Sequence, residues 1–186
     1  DSFVYDVPSV TIVEIMGRNA GWLTASAALA RTEKRRVPQL IYLCEKTFDE
    51  ERFIQDVKDA LKKENNIIIA VSEGVKDASG KYVGEEIKSG KEDAFGHKYL
   101  SGIGKYLEGL VGEQIGCKVR SVELNVLQRC AGYMLSRTDI MESRNLGAYA
   151  AISAIRGESG KMSVLERVSN HPYHVKISLA DLSGIA

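Results

Sequence analysis

Residues 9–22 read SVTIVEIMGRNAGW, an apolar run that stops abruptly at an arginine framed by small residues. Residues 9–15 alternate in polarity and carry β-branched side chains, the pattern of a strand. Residues 20–32, AGWLTASAALART, are rich in alanine and leucine and read as a helix packed closely through small residues. A strand thus runs almost directly into a helix, and the link between them carries Met16, Gly17 and Arg18.

The same step recurs downstream. Residues 39–44, QLIYLC, read as a buried strand. In residues 47–64, Phe53, Val57 and Leu61 fall at helical spacing, Thr47 and Glu50 occupy capping-box positions, and Lys62 and Lys63 lie in the last turn. Residues 65–73, NNIIIAVSE, hold the continuous apolar run of a parallel strand covered on both faces. The polar, glycine-rich segment 74–97 is of a length that is usually functional or mobile. Residues 98–116 read as a helix, 117–127 as a strand, 141–157 as a helix, and 161–168 and 174–179 as late strands. This alternation predicts an α/β fold, a three-layer α/β/α domain with a mostly parallel sheet. In such sheets ligands bind beyond the carboxyl ends of the strands.

Composition narrows the function classes. With 44% hydrophobic and 27% charged residues the 186-residue chain is globular in type, and 25 Lys and Arg balance 25 Asp and Glu. No global field therefore attracts nucleic acid or anionic lipid, and any anion site must be local. No run approaches the ~18 apolar residues of a membrane span. The three cysteines, Cys44, Cys117 and Cys130, are odd in number and lack Cys-x-x-Cys spacing. They read as reduced thiols in a reducing compartment, which points to the cytoplasm.

The strand ends hold the candidate chemistry. Met16-Gly17-Arg18 follows the first strand, Ser72-Glu73-Gly74 the third, and Arg120 and Gln128-Arg129 flank the fourth. Glycines let the backbone approach a ligand, and a helix starting near Asn19–Gly21 turns its positive end toward an anion. Arginine forks match phosphate oxygens, at about 1.5–3 kcal/mol per charged hydrogen bond. Glu73, acceptor-only when ionised, suits sugar hydroxyls. Together they describe a site for a phosphorylated polyol, although each alone fits a structural ion pair better than a ligand contact. SGIGK at 101–105 lacks the spacing of a P-loop, and His171 and His174 lack the further ligands of a metal site.

These residues carry a resemblance. The segments VTIVEIMGRNAGWLTASAALA, AVSEG, VRSVELNVLQRCAGYMLSRTD and ESRNLGAYAAISAI, in this order and spacing, resemble the phosphofructokinase family, and most closely its bacterial pyrophosphate-dependent members. The resemblance implies transfer of a phosphoryl group, with Mg²⁺, to the 1-hydroxyl of fructose 6-phosphate. Diphosphate is the implied donor, with ATP the alternative. By position it places Met16 and Gly17 at the sugar phosphate and turns Arg18 toward the transferred group. It sets Glu73 on the sugar hydroxyls, and Arg120 and Arg129 on the 6-phosphate, Arg120 from a neighbouring subunit. Gln128 is counted with the substrate-binding residues, Arg18 is the expected catalytic residue, and no metal ligand is assigned. A homodimer or homotetramer is expected.

The departures from the family pattern are specific. A family histidine falls at Val126 and a subunit-bridging arginine near Ser9, so phosphate contacts must be rebuilt, with Tyr133, Lys176 and His174 as candidates. Glu45 aligns with a metal-binding acid of an effector site. The family's donor loop and its aspartate base stand upstream of the Met-Gly-Arg segment, and this sequence opens on Asp1 just before the first strand. Residues 1–186 are therefore expected to be the sugar-phosphate-binding portion, inactive by itself. A non-catalytic sugar-phosphate-binding module is the other reading.

Overall fold

A computed structural model of the chain describes residues 6–84 and 102–184. Two compact units divide it, Asp1–Cys130 and Ala131–Ala186.

The first unit is built on a four-stranded, fully parallel sheet in the order β2-β3-β1-β4. Its strands are β1 (Ser9–Ile15), β2 (Leu40–Tyr42), β3 (Asn66–Ser72) and β4 (Lys118–Glu123). Register aligns Val10 with Ile67 and Ile12 with Ile69. These side chains share one face because successive residues of a strand point to opposite sides. On that face they form the core with Phe53, Ile54 and Val57 of α2 (Glu50–Leu61) and Leu107 and Val111 of α3 (Ile103–Ile115). Tyr42 meets Phe48 and Phe53 edge-on, at 5.6 and 5.3 Å between ring centres, and Phe48 lies tilted against Phe53 at 5.5 Å.

The chain steps from β1 across β3 to β2, then returns to β3 and crosses to β4. Right-handed crossovers place α1 (Trp22–Ser26) on one face and α2 with α3 on the other. Contacts of α1 with β2 and β3, and of α2 with α3, agree with that arrangement. The α/β fold with a parallel central sheet is as the alternation predicted. The second unit contains α4 (Arg137–Ile155) and an antiparallel hairpin, β5 (Lys161–Asn170) and β6 (Tyr173–Asp181), with α4 packed on β5. The two late strands thus form a sheet of their own.

Several elements differ in extent from the sequence reading. The first helix is a five-residue turn that tightens into a 3₁₀ segment, Ala27–Ala30. The cap of α2 is Asp49 rather than Thr47, its carboxylate accepting from the Arg52 N–H at 2.9 Å. β4 ends at Glu123 because Asn125 takes a positive φ of 46° and opens a 3₁₀ turn, Asn125–Arg129. α4 starts four residues early, where Ser136 accepts from the Asp139 N–H. The long loop forms a small turn over residues 74–84, with a bridge between Lys76 and Tyr82; its remainder lies outside the described residues, as do residues 98–101.

Candidate functional site

The reversal of chain direction falls between β1 and β3. They are neighbours, yet β1 leads on to α1 and β3 to α3, on opposite faces. That is the topological switch point, where an open α/β sheet leaves a crevice at its carboxyl edge. Met16-Gly17-Arg18 leaves β1 there and Glu73-Gly74 leaves β3.

Hydrogen bonds draw these ends together. The Gly17 N–H donates to Glu73 Oε1 at 3.2 Å, and Ser72 Oγ donates to the Gly17 carbonyl at 2.5 Å. The Glu73 N–H reaches the Ile15 carbonyl at 3.0 Å. From the turn after β4, Gln128 Oε1 accepts from the Met16 N–H at 2.7 Å. Each loop end is therefore tied to a neighbour rather than hanging from its own strand.

Two glycines make this approach sterically open. Gly17 has φ +143°, and a β-carbon there would stand 2.6 Å from the Ala20 carbonyl oxygen. A β-carbon on Gly74 would lie 1.8 Å from the Arg18 carbonyl oxygen, so the two loops pass backbone to backbone. Farther along, the Gly21 N–H donates to Glu45 Oε1 at 2.6 Å. That bond, chiefly, holds the Glu45 carboxyl below its ordinary range.

Met16, Gly17, Arg18, Glu73 and Gln128 thus meet at one edge. Arg129 is the exposed last residue of the turn that carries Gln128. Arg120 stands apart, since register sets it opposite Thr11, about 10 Å down the strand from the edge at ~3.3 Å per residue. Val126 is exposed on the same turn as Gln128, and Ser9 opens β1 at the far end. Tyr133, His174 and Lys176 belong to the second unit, where Tyr133 keeps 88% of its surface exposed and the histidine and lysine lie on β6. A separate cavity of about 720 Å³, lined by Ala25, Leu40, Tyr42, Phe48 and Arg52, lies along the edge strand β2 and includes none of the predicted residues.

One residue at this edge escapes the sequence reading. Glu14 shares the core-facing side of β1 with Val10 and Ile12, yet it is a carboxylate with 4% of its surface exposed. Oε2 accepts from the Gly104 N–H at 2.8 Å and the Gly102 N–H at 3.2 Å, at the start of α3. The available signal was a charged residue in an otherwise apolar alternation, two positions before Met16.

Among the described residues no three His, Cys, Asp or Glu side chains converge as metal ligands, and no helix is long and apolar enough to cross a membrane. In chemical terms the edge offers backbone N–H groups, carboxylate and amide acceptors and two arginines, a set suited to a polyhydroxy anion.

Comparison with known proteins gives a concordant picture. Residues 7–154 match the phosphofructokinase family. The chain is 37% identical over 177 residues to a pyrophosphate–fructose 6-phosphate 1-phosphotransferase of Xanthomonas campestris, covering 95% of this chain and 42% of that protein. It is 34% identical over 177 residues to the enzyme of the same name from Methylococcus capsulatus, covering 95% and 41%. The crystal structure of a pyrophosphate-dependent phosphofructokinase from Nitrosospira multiformis superposes with a TM-score of 0.72 at 30% identity, over 96% of this chain and 40% of that one. The chain spans about two-fifths of the length of the curated relatives it matches.

Proposed function

This chain belongs to the phosphofructokinase family, and on that premise we propose that it forms the sugar-phosphate-binding portion of a diphosphate-dependent enzyme. The complete protein would transfer a phosphoryl group from diphosphate to the 1-hydroxyl of fructose 6-phosphate. The observation that carries this reading is the cross-tied edge at the switch point, where Met16, Gly17, Arg18, Glu73 and Gln128 converge.

The roles follow from chemistry. Glu73 accepts from sugar hydroxyls beside its bond to Gly17. Arg129, exposed on its turn, anchors the 6-phosphate, and Arg120, away from the edge, serves a site completed by a second subunit of a homodimer or homotetramer. Arg18 carries positive charge toward the group in flight, which is where phosphoryl transfer gains most of its acceleration. Mg²⁺ is the cofactor that membership implies, and when bound it would neutralise phosphate charge. The described residues gather no ligand set that fits it, so no step of this chain runs through the metal. The reduced cysteines support a cytoplasmic setting.

The test is an assay of the complete protein on fructose 6-phosphate with diphosphate and with ATP. Turnover with diphosphate is expected; turnover with ATP alone would overturn the donor, and turnover with neither would overturn the function. In the same assay Arg129→Ala should raise the KM for the sugar about tenfold or more while leaving kcat within about twofold, because anchoring is ground-state binding. Arg18→Ala should instead lower kcat by roughly 10²-fold. An Arg18→Ala enzyme with wild-type turnover would remove that residue from the chemistry.

A further inference from the structure

We infer that Glu14, buried beneath the strand-end site, is a positioning residue for sugar-phosphate binding, an inference that rests on the function proposed above. Its side chain and its backbone act on different neighbours. The carboxylate accepts from the Gly104 and Gly102 N–H groups at the first turn of α3, whose own cap, Gly102, has no side chain to offer. The Glu14 carbonyl accepts from the Leu124 N–H at 3.1 Å, where β4 ends and the turn toward Gln128 begins. Gln128 then returns to the Met16 N–H. One residue thereby ties the helix that follows β3 and the exit of β4 to the strand that delivers Met16-Gly17-Arg18.

Core packing alone gives no reason for a carboxylate here. Val10 and Ile12 satisfy the same face with apolar side chains, and a third would bury as well. An apolar residue would, however, leave the helix's first N–H groups without their acceptor. A carboxyl group against a helix N-terminus accepts directional bonds from its N–H groups, and the helix's positive end offsets negative charge placed there. That compensation matters two residues from a segment proposed to meet a phosphorylated sugar, where an uncompensated negative charge would repel the ligand. The fit is close, since a β-carbon on Gly104 would lie 3.3 Å from Glu14 Oε2 and 3.3 Å from Ser121 Cβ. Glycine at position 104 lets the carboxylate reach the helix.

The complete protein carrying Glu14→Gln provides the test, because the amide keeps the shape but turns an N–H₂ group toward N–H donors. The KM for fructose 6-phosphate should rise about tenfold and that for diphosphate by less than about twofold. Amide hydrogen exchange over residues 14–18 should quicken by about tenfold in the absence of any substrate. An unchanged sugar KM in a folded variant, an equal rise in both KM values, or unaltered exchange at residues 14–18 would each overturn the inference. Should Glu14→Gln fail to fold, Gly104→Ala, which crowds the same contact, is expected to shift both readouts in the same direction by a smaller factor, and no shift would again overturn it. The exchange readout does not depend on the sugar. A wild-type protein inactive on fructose 6-phosphate would therefore refute the proposed function while leaving the positioning role separately decided.

Discussion

Phe53, on α2 of the first unit, exposes none of its surface, whereas Ile155, at the end of α4 in the second, keeps 86% of its own. The contrast extends beyond two residues. The first unit holds every buried apolar side chain among the described residues, most of them gathered into one core between the sheet and its helices. In the second unit Tyr133, Met134, Leu135, Ile152 and Val168 are all exposed, and Ser153 is the one buried residue among those described. α4 also carries apolar residues around much of its circumference, a composition that suits a helix covered on several sides. The first unit therefore has an internal reason to hold its shape, and the second relies on its hairpin ladder and on one face of α4.

The largest test of that difference is truncation. Phe53→Ala should cost about 3–5 kcal/mol in denaturant unfolding, the price of a large buried aromatic, while Ile155→Ala should stay within about 0.5 kcal/mol. A substantial loss at Ile155 would break the comparison. Gly74→Ala is next, because its methyl would collide with the Arg18 carbonyl oxygen at 1.8 Å. A destabilisation of roughly 1–3 kcal/mol is expected from the displaced backbone, read by the same unfolding experiment. Wild-type stability would mean that the two loops separate without cost.

The smallest effects are those of pH, and the acid range is the one that separates the two units. In the first unit Glu108 is held below its ordinary range, first by the Lys105 ammonium at 2.7 Å and then by the Ser121 hydroxyl. Asp59 and Asp77 are lowered as well, by Lys62 and by Ser79 respectively. Carboxylates of lowered folded pKa stabilise above their unfolded values, so the first unit should weaken as pH falls through about 4 and below. In the second unit Tyr173 is raised by its hydrogen bond to Glu142, and Lys161 by its bond to Glu158. Raised groups stabilise below their unfolded values, and Tyr42 of the first unit is raised as well, by burial and then by Asp56, so both units should lose such contributions as pH climbs above about 10. Segment-resolved hydrogen exchange across both ranges checks the pairing, and loss of both units at the same acid pH would contradict it.

What the sequence disclosed follows the same division between local and distant causes. β1 was legible because alternation is a local property, and α2 because Phe53, Val57 and Leu61 fix its buried face. Its cap was misplaced because Thr47 and Asp49 both supply an acceptor, and geometry decided for Asp49. β4 was drawn too long because Val126 and Leu127 continue an apolar pattern, and the positive φ of Asn125 that ends it is not encoded in hydropathy. The candidate site was legible as a set of strand-end residues, with Arg120 the one that register moves away from the edge. Glu14 was not, because its partners lie 88 and 90 residues downstream and no local pattern names them.

The strict register of β1 against both neighbours has a further consequence, for chain length rather than for residue identity. Inserting or deleting one residue between Ser9 and Ile15 would exchange the two faces of the strand for every residue beyond it. Glu14 would swing to the α1 side and Ile15 toward the start of α3, while Gly17 lost its place opposite Glu73. Many single substitutions in this strand leave that alignment standing. The segment that feeds the site should therefore accept changes of side chain far more readily than any change in its number of residues.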